Sequence, residues 1–377
     1  MQQGRAQGAA ANDEGPVELS NGRIVGRRWK IIEKLGEGGC GSVYKVQDIQ
    51  TLAKAALKAE SNFVPGGSVL KLEVQVLRRL EGRRYIAQLL QAGKKSTYSY
   101  MVMTLFGHSL NCLLKKCGQC SISTQVRVGI NILYGIKQLH EVGFIHRDVK
   151  PANLAVGRRG KEMRIIHILD FGLSREYILS SGGTVKLRVP RTKVLFRGTV
   201  RYCSASAHTR MEQGRPDDLW SMVYVLVEMR GPLPWNRIRK KHKVGKMKTS
   251  TPDEELFRFS PRELIDIAAH LRTLDYYKRP DYLFIYNKFA SVMSKCHYRY
   301  SDPFDWEEPK LVVANKKPNS AICGVSASKS VESHFDGAQS NARKELQVDT
   351  TPQSEDSGDN DEQLFVAADF EKNELGF

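Results

Sequence analysis

Residues 143–156 read GFIHRDVKPANLAV. Within eight positions of an otherwise apolar neighbourhood this stretch gathers His146, Arg147, Asp148, Lys150 and Asn153: a base, two cations, an acid and an amide. Charges set among apolar residues are costly unless they are paired. Such a set is kept for mutual pairing or for chemistry. Seventeen residues past Asn153 comes ILDFGLS, with Asp170. Asp148, Asn153 and Asp170 together supply the hard oxygen ligands that suit Mg2+, and a carboxylate can also orient a hydroxyl and take its proton. Lys150 can neutralise charge on a transferring phosphoryl group.

Upstream, LGEGGCGSV (35–43) sets Gly36, Gly38 and Gly41 at G-x-G-x-x-G spacing. Dinucleotide-binding folds use that spacing between a strand and a helix. Here the glycines lead into a strand-like GSVYKV, which predicts a hairpin lid whose N–H groups approach phosphates; a plain Gly-rich hairpin is the alternative for the motif taken alone. Lys58 in AALK lies downstream. Glu73 comes fifteen residues later, on the stripe that carries Leu70, Leu77 and Leu80 in SVLKLEVQVLRRL. That helical spacing turns the carboxylate inward. An ion pair with Lys58 would satisfy it, the alternative being a solvated lysine and a glutamate at the helix edge.

From about Trp29 to Lys58 the pattern predicts three successive strands in an antiparallel sheet. YSYMVMTLFGHSL reads as a buried strand entering a Gly-containing connection between lobes. Beyond it helices dominate. Val126, Ile130, Leu133, Ile136 and His140 mark a long one ending before Gly143, and DDLWSMVYVLVEM is apolar nearly all round, as at the centre of a lobe. After about Pro309 the composition turns to Ser, Asn, Gln and acidic residues, which predicts a disordered tail.

The chain has 377 residues and a formal charge of +17. Residues 310–377 hold seven Lys/Arg against twelve Asp/Glu, so the positive excess belongs to the rest. That balance favours acidic partners. Seven cysteines without regular spacing and no secretory leader predict an intracellular setting. Cys117-Gly-Gln-Cys120 lacks a second pair to complete a zinc site and reads as ordinary thiols. No apolar run approaches the roughly 20 residues of a membrane span.

LGEGGCGSV, AALK, Glu73, HRDVKPAN and DFG, in this order, resemble the protein-kinase signature set. The resemblance covers about Trp29 to Pro309 and implies an α+β, two-lobed fold with a small antiparallel-sheet N-lobe (about 29–103) and a larger helical C-lobe (about 107–309); by composition, residues 1–28 read as a flexible arm and 310–377 as the acidic tail. The resemblance implies ATP and Mg2+ between the lobes and transfer to protein hydroxyls. Asp148 and Lys150 would be catalytic, and Asn153 and Asp170 would hold the metal. Leu35, Gly36, Gly38, Gly39, Gly41, Val43, Lys58, Glu73 and Leu105 would surround ATP, with adenine at the hinge near Met103, Thr104 and Leu105. Lys150 in HRDVKPAN is similar to the Ser/Thr form.

No A-P-E comes after DFG. FRGTVRYCSASAH, DDLWS and LPW stand instead, and they look most like the tau-tubulin kinase branch of the casein kinase I superfamily. Ser206 replaces the Asn of that pattern. Asp218 would hold the backbone of the catalytic loop. Arg201 matches a phosphate-contacting arginine of those relatives. With Lys186, Arg188, Arg191, Lys193 and Arg197 it implies acidic or phosphorylated protein substrates. The run NRIRKKHKVGKMK reads as a second basic contact, a solvated surface or a nuclear import signal. Nucleic acid and membrane are not expected as partners, the chain is expected to be a monomer, and the location is cytoplasmic with a nuclear option. The rival reading is a catalytically weak scaffold that binds nucleotide and partner proteins.

Overall fold

The computed structural model of the chain describes residues 16–38, 41–64, 67–307 and 364–377. The alternation over 29–58 becomes β2 (Trp29–Gly38), β3 (Gly41–Asp48) and β4 (Lys54–Ser61), with a short β1 (Ile24–Val25) before them. In β3 the buried positions are Ser42, Tyr44, Val46 and Asp48, the period of two expected of a strand covered on one face. Helix α1 (Val69–Arg79) precedes β5 (Leu89–Lys94) and β6 (Tyr98–Thr104). The six strands form one antiparallel sheet in the order β1-β2-β3-β4-β6-β5.

Residues 16–28 are not a loose arm. Leu19 is buried, the Tyr44 hydroxyl donates to Val17 O at 2.6 Å, and Arg28 reaches the Asp48 carboxylate at 2.6 Å. Val17 and Leu19 give too short an apolar pattern to register as an element, yet they close one side of the sheet's core.

The second lobe holds α2 (Leu110–Cys117), α3 (Ile122–Glu141), β7 (Phe144–Ile145), β8 (Leu154–Val156), β9 (Ile166–Ile168), β10 (Arg175–Glu176), β11 (Ile178–Ser181), β12 (Thr184–Leu187), α4 (Ala205–His208), α5 (Arg215–Arg230), α6 (Lys241–Ser250), α7 (Asp253–Leu256), α8 (Glu263–Arg272), α9 (Tyr282–Lys295) and α10 (Ala368–Glu371). The central pair is α3 and α5, both buried over most of their length. Gly143, at φ +84°, ends the turn after α3, where its N–H meets His140 O at 2.9 Å. The β11–β12 hairpin has no counterpart in the sequence reading, which treats the segment only as a basic run.

The last stretch departs from the predicted tail. Residues 364–377 pack on the second lobe with Phe365 and Phe370 fully buried. Acidic composition hid them, because a core contact needs only a few aromatic residues if the receiving surface supplies the remainder. Among the described residues no helix is long and apolar enough to cross a membrane.

Candidate active site

Lys58 lies on β4 opposite Val43 of β3 and Met101 of β6. The inward stripe of α1 buries Leu70, Glu73, Val76 and Leu77. Strand β4 also fixes where that helix starts: the Glu60 carboxylate accepts from Val69 N at 3.1 Å and Leu70 N at 3.0 Å, while Ser68 Oγ caps Lys71 N at 3.2 Å. Negative charge on those first N–H groups also complements the helix dipole. With α1 so placed, Lys58 Nζ bonds Glu73 Oε1 and lies 3.2 Å from Asp170 Oδ1. The expected ion pair is present, and Asp170 joins it.

Burial is the larger influence on Glu73 and pushes its pKa up to about 7, against the pull of Lys58. Burial also acts upward on Asp170, but the Lys58 ammonium outweighs it and holds that carboxyl below its ordinary value. The pair Lys58–Glu73 is therefore complete only above about pH 7. We expect any activity that depends on this ion pair to rise with pH through that value, and a pH–rate profile of Glu73→Gln to lack the limb. Stability should move oppositely over the interval from the usual carboxylate range up to about 7, because there the unfolded chain has already released the proton that the folded one keeps.

The opening stretch forms a loop whose polar groups have separate tasks. Lys150 Nζ bonds Asp148 Oδ2 at 2.6 Å. Thr199 Oγ1 donates to Asp148 Oδ1 at 2.7 Å and lies 3.3 Å from Lys150 Nζ. Asn153 Nδ2 donates to Asp148 O at 3.0 Å, which leaves Oδ1 of the amide as the atom suited to a cation. His146 spans the loop: its Nδ1 accepts from Asp148 N at 3.2 Å and its Nε2 donates to Leu169 O at 3.1 Å. Arg147 Nε donates to Leu173 O at 2.6 Å, and burial together with Arg175 pushes its pKa down to about 10. His146 and Arg147 thus tie the loop to the segment around Asp170.

Two of these residues sit in the left-handed region, Arg147 at φ +67° and Asp170 at φ +66°. For side-chain-bearing residues this costs on the order of 1–3 kcal/mol each, and persists where surroundings enforce it. For Arg147, Asp218 at the start of α5 does the enforcing. Its carboxylate accepts from His146 N at 2.7 Å, Arg147 N at 2.8 Å and His140 Nε2 at 2.9 Å. Burial keeps His140 neutral, with its Nδ1 accepting from the Tyr282 hydroxyl at 2.7 Å.

The Gly-rich turn joins β2 to β3, with Gly38 paired to Gly41. Gly41 has φ +104°, and a Cβ there would lie 2.2 Å from Ala59 O, so only glycine fits. Leu35 is exposed on β2 and Val43 is half-buried. Gly39 and Cys40 lie outside the described residues. At the other edge Thr104 ends β6 opposite Ala55, and Leu105 comes next in the connection between lobes.

Sequence reasoning passed over Thr199 and gave His140 only a place on a helix stripe. The one signal for Thr199 was its place after a glycine: Gly198, at φ +101°, brings the segment so near the loop that a Cβ would lie 2.5 Å from Arg147 O. Arg201, singled out for substrate phosphate, instead bonds Glu228 of α5, which also takes the Tyr202 hydroxyl. A phosphate would have to share that guanidinium. Ser206, which stands where an asparagine was expected, is anchored with Ser204 on the Asp217 carboxylate, and Gly214 N completes the set at 2.6 Å. Of the basic run, Arg188 pairs with Glu176 and Arg191 with Glu212, while Lys186, Lys193 and Arg197 make no ion pair with another described residue. The Cys117 and Cys120 thiols lie 3.5 Å apart.

The model of the protein kinase domain family matches residues 29–289. This chain belongs to the protein kinase family. Its relatives include a Caenorhabditis elegans protein named "Putative serine/threonine-protein kinase K06H7.1", 48% identical over 79% of this chain and 87% of its own length. Two others from the same organism are "Inactive tau-tubulin kinase ttbk-6", 38% identical over 64% of this chain and 89% of its own length, and "Serine/threonine-protein kinase spe-6", 32% identical over 74% and 76%. The chain thus carries the sheet lobe and helical lobe of a protein kinase domain, with Lys58, Glu73 and Asp170 bonded as one group and Asp148, Lys150 and Asn153 as another.

Proposed function

We propose that this protein is an active serine/threonine kinase of the casein kinase I superfamily, near its tau-tubulin branch, transferring the γ-phosphoryl of ATP to acidic or pre-phosphorylated protein substrates as a monomer. The observation that carries the reading is the bracketing of the Asp148 carboxylate by Lys150 on one oxygen and Thr199 on the other, beside an assembled Lys58–Glu73–Asp170 cluster.

Asp148 accepts the hydroxyl proton and orients the oxygen for attack on the terminal phosphorus. Lys150 holds that carboxylate and places positive charge where the phosphoryl moves. Lys58, fixed by Glu73, presents its ammonium to the nucleotide phosphates. Asp170, kept ionised by Lys58, and the Asn153 amide oxygen are hard donors, and they fit a Mg2+ ion. When bound, that ion would neutralise phosphate charge. The exposed cations Lys186, Lys193 and Arg197 supply the acidic preference.

The relative named inactive keeps a second reading in view, a nucleotide-binding scaffold. Incubation of the full chain with labelled ATP, Mg2+ and a peptide panel separates the two. The kinase should label serine or threonine, most strongly in acidic or phosphorylated peptides, with peptide KM rising more than ATP KM as salt screens the exposed cations. Nucleotide binding without any transfer would establish the scaffold instead.

A further inference from the structure

Residues 364–377 occupy a groove that begins at the loop after α1 and ends at the strand pair after Asp170. At the first end Phe365 meets the rings of Tyr85 and Tyr134 at 5.5 and 5.1 Å, and Phe370 stacks on Tyr286 of α9 at 4.4 Å. Both phenylalanines are buried. Arg84 donates to Leu364 O at 3.1 Å and to Asp369 at 2.9 Å; its neighbour Arg83 joins Glu374 to Gln138 of α3 at 3.0 and 2.8 Å. Midway, Arg279 bridges Lys372 O and Glu141, both at 2.9 Å. At the far end Leu375 and Phe377 pack on the cluster of Ile145, Tyr177 and Ile178, and Arg215 donates to the main-chain oxygen of Phe377 at 3.1 Å.

The two anchored places follow, along the chain, the elements that carry Glu73 and Asp170. Arg83 and Arg84 come just after α1, the helix that brings Glu73 to Lys58, and Tyr177 comes just after the segment that carries Asp170 and the Arg147 contacts at Leu173 and Ser174. Tyr177 is itself held by His140 O at 2.7 Å and Gly143 O at 2.9 Å, so displacement there reaches the end of α3 and the opening stretch. We propose that this groove is a docking site for an acidic segment with two phenylalanines five residues apart, that its occupant is residues 364–377 of the same chain, and that occupancy promotes phosphoryl transfer by holding α1 and the strands after Asp170 in register. The cations Arg83 and Arg84 match Glu374 and Asp369 in charge, and the tyrosines receive the rings. This rests on the kinase reading for its activity readout.

The test uses the full chain with Phe370→Asp, and separately the pair Leu375→Ala and Phe377→Ala, which leaves the buried anchors in place. The kcat of each should fall by about 5- to 150-fold, the span of an ordinary coupling between sites. A synthetic peptide of residues 363–377 added to Phe370→Asp should restore it. Hydrogen exchange should quicken in α1 and in β10–β11. Unchanged kcat, measured below the lowered Tm, would overturn the proposal and leave the segment a cover for the lobe; so would a peptide that restores Tm but not kcat. A concentration-dependent dimer in wild type with the segments exchanged would overturn the intrachain assignment. If wild type transfers no phosphoryl group, the kinase reading has failed, and the exchange data still decide: unaltered protection of α1 in Phe370→Asp rejects the coupling.

Discussion

Replacing Asp148 by Asn should lower kcat by about 10²- to 10⁴-fold, the contribution of a positioned general base, while ATP affinity and Tm stay close to wild type. The substitution conserves shape but removes the charge and one acceptor. Asp148 uses its two oxygens separately, Oδ1 for the Thr199 hydroxyl and Oδ2 for the Lys150 ammonium. An amide must turn its NH2 toward one of them, and against Lys150 that is repulsive. Lys58, Glu73 and Asp170 are untouched by the change, so nucleotide capture persists. Transfer by the variant at the wild-type rate, in a single-turnover assay, would show that this carboxylate is not the base.

Removing Asp218 should have the largest effect on stability. In Asp218→Ala the N–H groups of His146 and Arg147 and the Nε2–H of His140 lose their acceptor together, in buried surroundings for the two histidines and half-buried ones for Arg147. Each buried donor left without its acceptor costs about 1–3 kcal/mol. For a domain of this size each kcal/mol is worth roughly 2–4 °C in Tm, so calorimetry should show a drop near ~10 °C. Arg147 would also lose what keeps it at φ +67°, and kcat should fall along with Tm. Burial raises the Asp218 pKa, but the bonds from His140 and the charges nearby outweigh it and hold it below the ordinary value. Its stabilisation is therefore present above the unfolded carboxylate range and lost as pH falls through the folded value. Acid unfolding of wild type should be steeper there than that of Asp218→Ala; parallel curves would assign the acid sensitivity to other carboxylates.

Legibility in the sequence depends on the range over which each constraint acts. The strands over 29–58, helix α1 and the buried α5 declare themselves by local period. The Lys58–Glu73 pair is legible because a charge on an apolar stripe demands a partner, and few are near. Thr199 acts 51 positions from Asp148, and His140 acts 78 positions from Asp218, in hydrogen bonds that no period announces. Residues 364–377 are the extreme case. The rings that bury Phe365 and Phe370 come from the loop after α1, from α3 and from α9, so composition alone points the wrong way. Arg201 shows the converse: a matching motif names the residue but not Glu228, the partner that already holds it.

Strand β4 grips α1 twice, through Lys58 on Glu73 and through Glu60 on the first two N–H groups of the helix. For an inhibitor this sets a preference between two ways of binding. A compound that needs the space behind Lys58 must break a buried ion pair and uncap a helix together, whereas one confined to the nucleotide side breaks neither. Substituting Glu60 should ease the first way of binding and leave the second unchanged, because it uncaps the helix while Lys58 keeps Glu73.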